Sequence, residues 1–188
     1  LGAGGVLADD MGLGKTVMAL AFLARWKEDA GPRPSLVVCP TSVVGNWVRE
    51  AERLAPGLRV RALRGADRRQ VRFEDDDVVI VTYGVLRRDV EHLERTRFRA
   101  AILDEAQNIK NPSAETSRAA RRLVADTRLA LTGTPVENRL FELWSLMTFA
   151  NPGMLGTAAD FDARYERPIA ERPDGAVAEE LRAVVRPF

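Results

Sequence analysis

The chain has little of what marks a secreted or membrane-bound protein. Its one cysteine, Cys39, cannot form an internal disulfide, which suits a reducing compartment. Cys39 sits in the apolar run Leu36-Val37-Val38-Cys39, which predicts a buried structural thiol. No stretch approaches the ~20 apolar residues a membrane span needs, and no signal peptide is read. The expectation is a soluble cytoplasmic protein that does not engage a membrane. The single histidine, His92, lies among charged residues with no partner in view and is expected to be exposed and without a catalytic role. Lys and Arg total 28 against 27 acids, a net charge of +1, so there is no global basic field. A nucleic-acid partner would need a local patch. No repeat or low-complexity tract appears. The chain begins at Leu1 and stops at Arg186-Pro187-Phe188 without a closing signal, which reads as a piece of a longer protein.

What is present is one domain's worth of sequence, 188 residues, organised around Asp9-Asp10-Met11-Gly12-Leu13-Gly14-Lys15-Thr16. The short apolar run 5–8 precedes this stretch, and a helix-period segment from Val17 to Trp26 follows it. Strand, glycine loop and helix in that order make a phosphate-binding loop. The glycines let backbone N–H groups turn inward around a phosphate, and the helix adds its unpaired N–H groups and dipole. Asp10, Met11, Gly12, Leu13, Gly14, Lys15 and Thr16 are the expected phosphate-binding residues. Lys15 would reach the β and γ phosphates of ATP, and the Thr16 hydroxyl would sit on Mg²⁺. Asp9 stands where the general pattern has a glycine.

Short continuous apolar runs at 36–39, 78–81 and 100–103 predict buried parallel strands. Leu58–Ala62 predicts a half-exposed strand and Leu129–Leu131 another. Helical spacing is read in Val17, Leu20, Ala21 and Ala24, and in Trp47, Val48, Ala51 and Leu54 with Ser42 as N-cap. Further helices are expected through about Leu93, over Ser113–Val124 and around Leu140–Met147. Residues 151–188 look less regular, with Pro168 and Pro173-Asp174-Gly175 as breakers. Glu74-Asp75-Asp76-Asp77 is read as a solvated loop in preference to a metal site. Strands alternating with helices give an α/β class with a mostly parallel central sheet and helices on both faces.

Ligands of such sheets bind at the carboxyl ends of the strands. Asp104-Glu105 ends one strand, and Thr132-Gly133-Thr134 ends another. An acid pair downstream of a phosphate loop is what ATP hydrolysis needs. Lys15, Asp104 and Glu105 are therefore the expected catalytic residues, with Thr16 and Asp104 holding Mg²⁺ and Glu105 orienting and deprotonating the attacking water.

Asp104-Glu105-Ala106-Gln107 resembles the Asp-Glu-x-His/Gln box of superfamily-two helicases. The loop with Asp9, and Leu131-Thr132-Gly133-Thr134-Pro135-Val136-Glu137-Asn138, resemble more narrowly the first and third motifs of Swi/Snf-type DNA-translocating ATPases. Val38-Cys39-Pro40 with Asn46-Trp47, and Val81-Thr82-Tyr83-Gly84, look like the Ia and Ib segments, and 141–153 is similar too. Gln107 in place of His is more like a bacterial or archaeal member.

The resemblance covers almost the whole chain and implies the first of two RecA-like P-loop lobes. Residues 1–150 would form the lobe, and 151–188 an extension toward a second lobe of the same protein. It implies a nucleoid-associated motor that tracks double-stranded DNA and remodels protein–DNA complexes. A strand-separating helicase, a restriction-type translocase or a nucleotide-gated scaffold are the competing readings. Pro40, Thr41, Ser42, Thr82 and Tyr83 become candidate contacts to the DNA backbone, with Arg49, Arg64, Arg68, Arg87 and Arg88 behind them. Gln107, Thr132, Gly133 and Thr134 become candidates for coupling nucleotide state to the DNA groove. Trp47 has core spacing, although stacking on a base is the other use of such a ring. The lobe on its own is expected to bind nucleotide weakly and hydrolyse little.

Overall fold

The computed structural model describes residues 4–9, 13–30, 33–65, 71–133, 140–173 and 175–188. Asp10, Met11, Gly12, Arg68 and Thr134 fall outside the described residues.

The strands are β1 (Gly5–Ala8), β2 (Ser35–Cys39), β3 (Val60–Ala62), β4 (Val78–Thr82), β5 (Arg97–Leu103) and β6 (Val124–Thr132). They form one six-stranded sheet in the order β1-β6-β5-β2-β4-β3, and every pairing is parallel. Central β2 is buried at all its residues, as a strand covered on both faces must be, whereas edge strands β1 and β3 are only partly covered. Alternation along β2 sends Leu36 and Val38 into one core cluster and Val37 and Cys39 into the other. The first cluster packs under α3 (Tyr83–Leu93) and α4 (Glu115–Arg122), the second under α1 (Lys15–Ala30) and α2 (Val44–Leu54).

The inward face of α1 is Ala19, Leu20 and Leu23, while Val17 and Met18 are exposed. The face expected from Val17, Leu20, Ala21 and Ala24 is therefore rotated, because the first turn of the helix borders a cleft and not the core. Ser42 does not cap α2. A 3₁₀ turn over Thr41–Val43 intervenes, and the helix starts after Val43 without a side-chain cap. Helix α4 is shorter than expected, because Val124 already pairs with Arg97 as the first residue of a nine-residue β6.

The region after α5 (Leu140–Ala150) is more helical than its prolines suggested. Helix α6 (Ala158–Phe161) runs through a wide π turn, 162–166, into α7 (Arg167–Glu171), and α8 (Ala176–Val185) follows. Pro168 comes just after that π turn, the kind of local widening that accommodates a proline inside a helical run. These helices pack Phe161, Tyr165 and Leu181 against Trp144 and Met147 of α5. The chain then returns to β1, where the Phe188 carbonyl accepts the Val6 N–H at 2.6 Å on the strand's outer edge.

The acidic run is a solvated loop only in its first half. Glu74 and Asp75 are exposed, whereas Asp76 and Asp77 are buried as β4 begins. Asp76 accepts from Arg61 at 2.9 Å, and Asp77 from the Lys27 ammonium at 2.8 Å and the Arg59 backbone N–H at 2.8 Å. His92 is likewise half-buried, its ring edge-on to Phe73 with centroids 5.6 Å apart.

Burial alone would raise the Asp77 carboxyl, but the bonds from Lys27 and Arg59 outweigh it and hold its pKa below the usual carboxylate value. A depressed folded-state pKa gives stability that is present above the unfolded value of about 3.9 and lost as pH falls through the folded one. Asp77→Asn is expected to cost about 1–2 kcal/mol at pH 7, with the half-exposed Lys27 limiting the effect. The gap to the unmodified chain should narrow below about pH 4. Urea unfolding at the two pH values checks both, and a gap that stayed constant with pH would rule out the ion pair as its source.

Candidate functional site

The carboxyl edge of the sheet divides into two halves. The ends of β1, β6 and β5 lie together, and the ends of β2, β4 and β3 lie beside them. The first half gathers the phosphate loop, Thr132 and Asp104-Glu105.

The ladder between β1 and β6 continues past the strand end through the Asp9 N–H to the Thr132 carbonyl at 3.2 Å. Gly14 is left-handed at φ 80°, a conformation a side chain would resist, and it delivers Lys15 to the first position of α1. Lys15 is buried, and its ammonium donates to the Asp9 carbonyl at 2.7 Å. Gly14, Lys15 and Thr16 line one wall of a cleft of about 420 Å³, and Asp104 and Glu105 line another. The third wall comes from α2, where Asn46, Glu50 and Arg53 face the cleft and Glu50 pairs with Arg53 at 2.9 Å. Sequence reasoning missed these three. Their spacing of four and three on one polar helix face was the signal that could have found them.

Asp104 is buried, and both its oxygens are engaged. The Trp47 indole N–H donates to Oδ2 at 2.7 Å, and the Glu105 backbone N–H donates to Oδ1 at 3.0 Å. Burial pushes the carboxyl above its usual pKa. Those two N–H groups and the Lys15 charge pull it down, while the Glu105 charge adds to the rise. Trp47 is fully buried, so it is a core residue as its spacing predicted, with a polar task added. Burial, and then the Asp104 charge, push the neighbouring Cys39 thiol up to about 12, so it stays an uncharged core residue.

Glu105 has φ 52° and ψ 54°, the only left-handed non-glycine among the described residues. That conformation costs about 1–2 kcal/mol and persists only where surrounding contacts impose it. Here the Glu105 carbonyl accepts from the Asn108 side chain at 2.8 Å, the Asn108 backbone N–H at 3.1 Å and the Tyr83 hydroxyl at 3.4 Å. The Gln107 amide donates to Glu105 Oε2 at 2.6 Å, and the Thr132 hydroxyl donates to Gln107 Oε1 at 3.1 Å. Glu105, Gln107 and Thr132 are thus joined across two strands, with Gly133 next in the chain.

The second half of the edge forms another cleft, about 490 Å³, lined by Thr41, Thr82, Arg64 and Arg88. Thr41 and Ser42 are exposed and Pro40 is half-buried. The Thr82 hydroxyl accepts the Val85 N–H at 3.2 Å and caps α3. Arg87 pairs instead with Glu115 at 3.8 Å. Tyr83 departs from its expected place in this groove. Its ring is buried and its hydroxyl points to the other half of the edge, donating to the Asp104 carbonyl at 2.8 Å. Burial first, then the charges of Asp104 and Glu105, raise its pKa well above the ordinary phenol value and keep it a donor.

The cleft is of a size and chemistry to take a nucleoside triphosphate. Lys15 and the N-terminus of α1 place positive groups on one side of it, and Asp104 and Thr16 place oxygen atoms on it. Among the described residues no group of three or more His, Cys, Asp or Glu could hold a metal ion unaided. Among the described residues, no helix is long and apolar enough to cross a membrane.

A phosphate loop facing an acid pair across the carboxyl edge of a parallel sheet defines an ATPase lobe of the RecA-like type. The SNF2-related domain model matches residues 1–188, and the chain belongs to that family. A putative ATP-dependent helicase/translocase of Bacillus subtilis is 43% identical over 100% of this chain and 21% of its own length. The TATA-binding protein-associated factor mot1 of Schizosaccharomyces pombe is 39% identical over 90% of this chain and 10% of its own. The chain therefore spans about a fifth or less of these relatives. The SWI2/SNF2 ATPase core of Sulfolobus solfataricus in complex with double-stranded DNA superposes with a TM-score of 0.92 at 44% identity, covering 100% of this chain and 39% of that one.

The bond between Thr132 and Gln107 is expected to contribute about 1 kcal/mol. A double-mutant cycle of Thr132→Val with Gln107→Leu, read by urea unfolding, should return a coupling energy of that size. A coupling of zero would show that the two side chains do not act as one unit.

Proposed function

We propose that this chain is the nucleotide-binding lobe of a motor that hydrolyses ATP while moving along double-stranded DNA and remodels protein–DNA complexes. The observation that carries the proposal is the convergence of Lys15 and Thr16 with Asp104 and Glu105 on one cleft. Lys15 would bind the transferred phosphoryl group, Thr16 and Asp104 would hold Mg²⁺, and Glu105 would orient and deprotonate the attacking water. When bound, Mg²⁺ would neutralise charge on the phosphate oxygens.

The cleft with Thr41, Thr82, Arg64 and Arg88 supplies hydroxyls and guanidinium groups for the DNA backbone, in the manner of register-setting phosphate contacts. Leu13, Val17 and Met18 are exposed at the start of α1, with Val17 on the cleft itself, and suit an apolar contact with a second lobe. The Glu105–Gln107–Thr132 chain would couple nucleotide state at the end of β5 to the end of β6, the side of the edge that also carries the phosphate loop. A complex of the SWI2/SNF2 core with duplex DNA, and a relative named for its association with TATA-binding protein, support duplex tracking and the remodelling of bound protein. The helicase/translocase name of the Bacillus relative favours a second reading, strand separation. The lobe by itself would bind nucleotide weakly and turn it over slowly, because a second lobe would complete the site.

The test is ATP hydrolysis by the longer protein that carries this chain, with and without duplex DNA, beside Glu105→Gln. Duplex should stimulate turnover severalfold or more, the variant should abolish it, and rising salt should weaken the stimulation steeply. No stimulation by duplex would sink the DNA-motor reading, and displacement of a labelled strand would move it to a helicase.

A further inference from the structure

We propose that Trp47 and Tyr83 are positioning residues of the hydrolytic site, clamping Asp104 and Glu105 from the two segments that border the candidate DNA groove. The proposal rests on the ATPase reading above and concerns two buried side chains that line neither of the two clefts.

The placement is specific. Trp47 lies on α2, one turn past the exposed Thr41-Ser42, and Tyr83 directly follows Thr82 at the lip of the groove. Both reach the end of β5, Trp47 from the face of the sheet covered by α1 and α2 and Tyr83 from the face covered by α3 and α4. The indole N–H meets Asp104 Oδ2 at 2.7 Å, and the phenol meets the Asp104 carbonyl at 2.8 Å and the Glu105 carbonyl at 3.4 Å. Each is buried, with Trp47 fully covered.

The two bonds do different work. A carboxylate on a β-carbon rotates freely unless both oxygens are held. The Glu105 N–H holds Oδ1, and the indole holds Oδ2, so Trp47 fixes the plane that Asp104 presents to a metal. A charge-assisted bond in a buried setting is among the stronger ones available. Tyr83 acts on the main chain instead. Its single proton goes to the Asp104 carbonyl at 2.8 Å, directly ahead of the left-handed Glu105, with the Glu105 carbonyl a longer contact at 3.4 Å. It so restrains a conformation that would relax without it. A shift of either groove segment would therefore reach the acids through a rigid ring.

Trp47→Phe and Tyr83→Phe in the longer protein test the proposal, with Trp144→Phe as a matched control. Trp144 donates to the Gly156 carbonyl at 3.3 Å, among the terminal helices and away from the cleft. The first readout is equilibrium binding of a fluorescent ADP analogue in EDTA and in Mg²⁺. In Trp47→Phe the affinity gained from Mg²⁺ should fall about tenfold, the size of one charge-assisted bond. A merely structural loss would weaken both conditions alike and leave that ratio intact, as Trp144→Phe should. The second readout is steady-state kinetics, where Tyr83→Phe should lower kcat about tenfold with the KM for ATP within about twofold.

An unaltered Mg²⁺ ratio in folded Trp47→Phe, or an unaltered kcat in Tyr83→Phe, would overturn the role assigned to that ring. If Trp47→Phe does not fold, Tyr83→Phe, which removes one oxygen and keeps the shape, decides for the clamp. Failure of the underlying ATPase reading would look different, as absence of turnover in the unmodified protein.

Discussion

The arrangement depends on a carboxylate buried at the end of a central strand. Taking the Asp104 side chain out of water is expensive unless its oxygens are bonded, and the fold meets that demand from several directions. An indole from α2 and the next residue's own N–H satisfy the oxygens, and the Lys15 charge lies close enough to favour the ionised form. Each of these comes from a different βα connection, so the cost of burying Asp104 is offset only when the sheet is correctly assembled. The order β1-β6-β5-β2 places those connections next to one another. Site and fold are therefore specified by the same contacts.

Much of this was legible in the residue order. Continuous apolar runs identified the buried strands, since only parallel strands covered on both faces dispense with alternation. Glycines and the Gly14-Lys15-Thr16 triplet between a strand and a helix marked the phosphate loop. The acid pair gained meaning from being the next polar group after a buried strand. Each of these signals is local or repeats with a fixed period.

What escaped was decided by partners far along the chain. Asp76 and Asp77 look like a solvated tail of an acidic run, yet Lys27, fifty residues away, meets Asp77. Tyr83 sits in a segment read as a DNA contact, and nothing in its neighbours says that its ring turns inward to residues 104 and 105. Trp47 was correctly assigned to the core from its spacing, but spacing carries no information about where an indole N–H points. The cleft face of Asn46, Glu50 and Arg53 was hidden by reading α2 only for its apolar side. Directions of polar atoms, more than positions of elements, were the missing quantity.

The left-handed turn at Glu105 has a mechanical consequence. Its carbonyl is pinned by Asn108 and Tyr83, so the main chain there has almost no play, and the side chain is attached to a fixed pivot. Among the described residues, the catch on its carboxylate is the bond from the Gln107 amide. Opening that catch lets the acid swing, and closing it parks the acid, without any backbone movement. The radius of that swing is the length of a glutamate, and a shorter acid could not be brought forward by flexing a turn that does not flex.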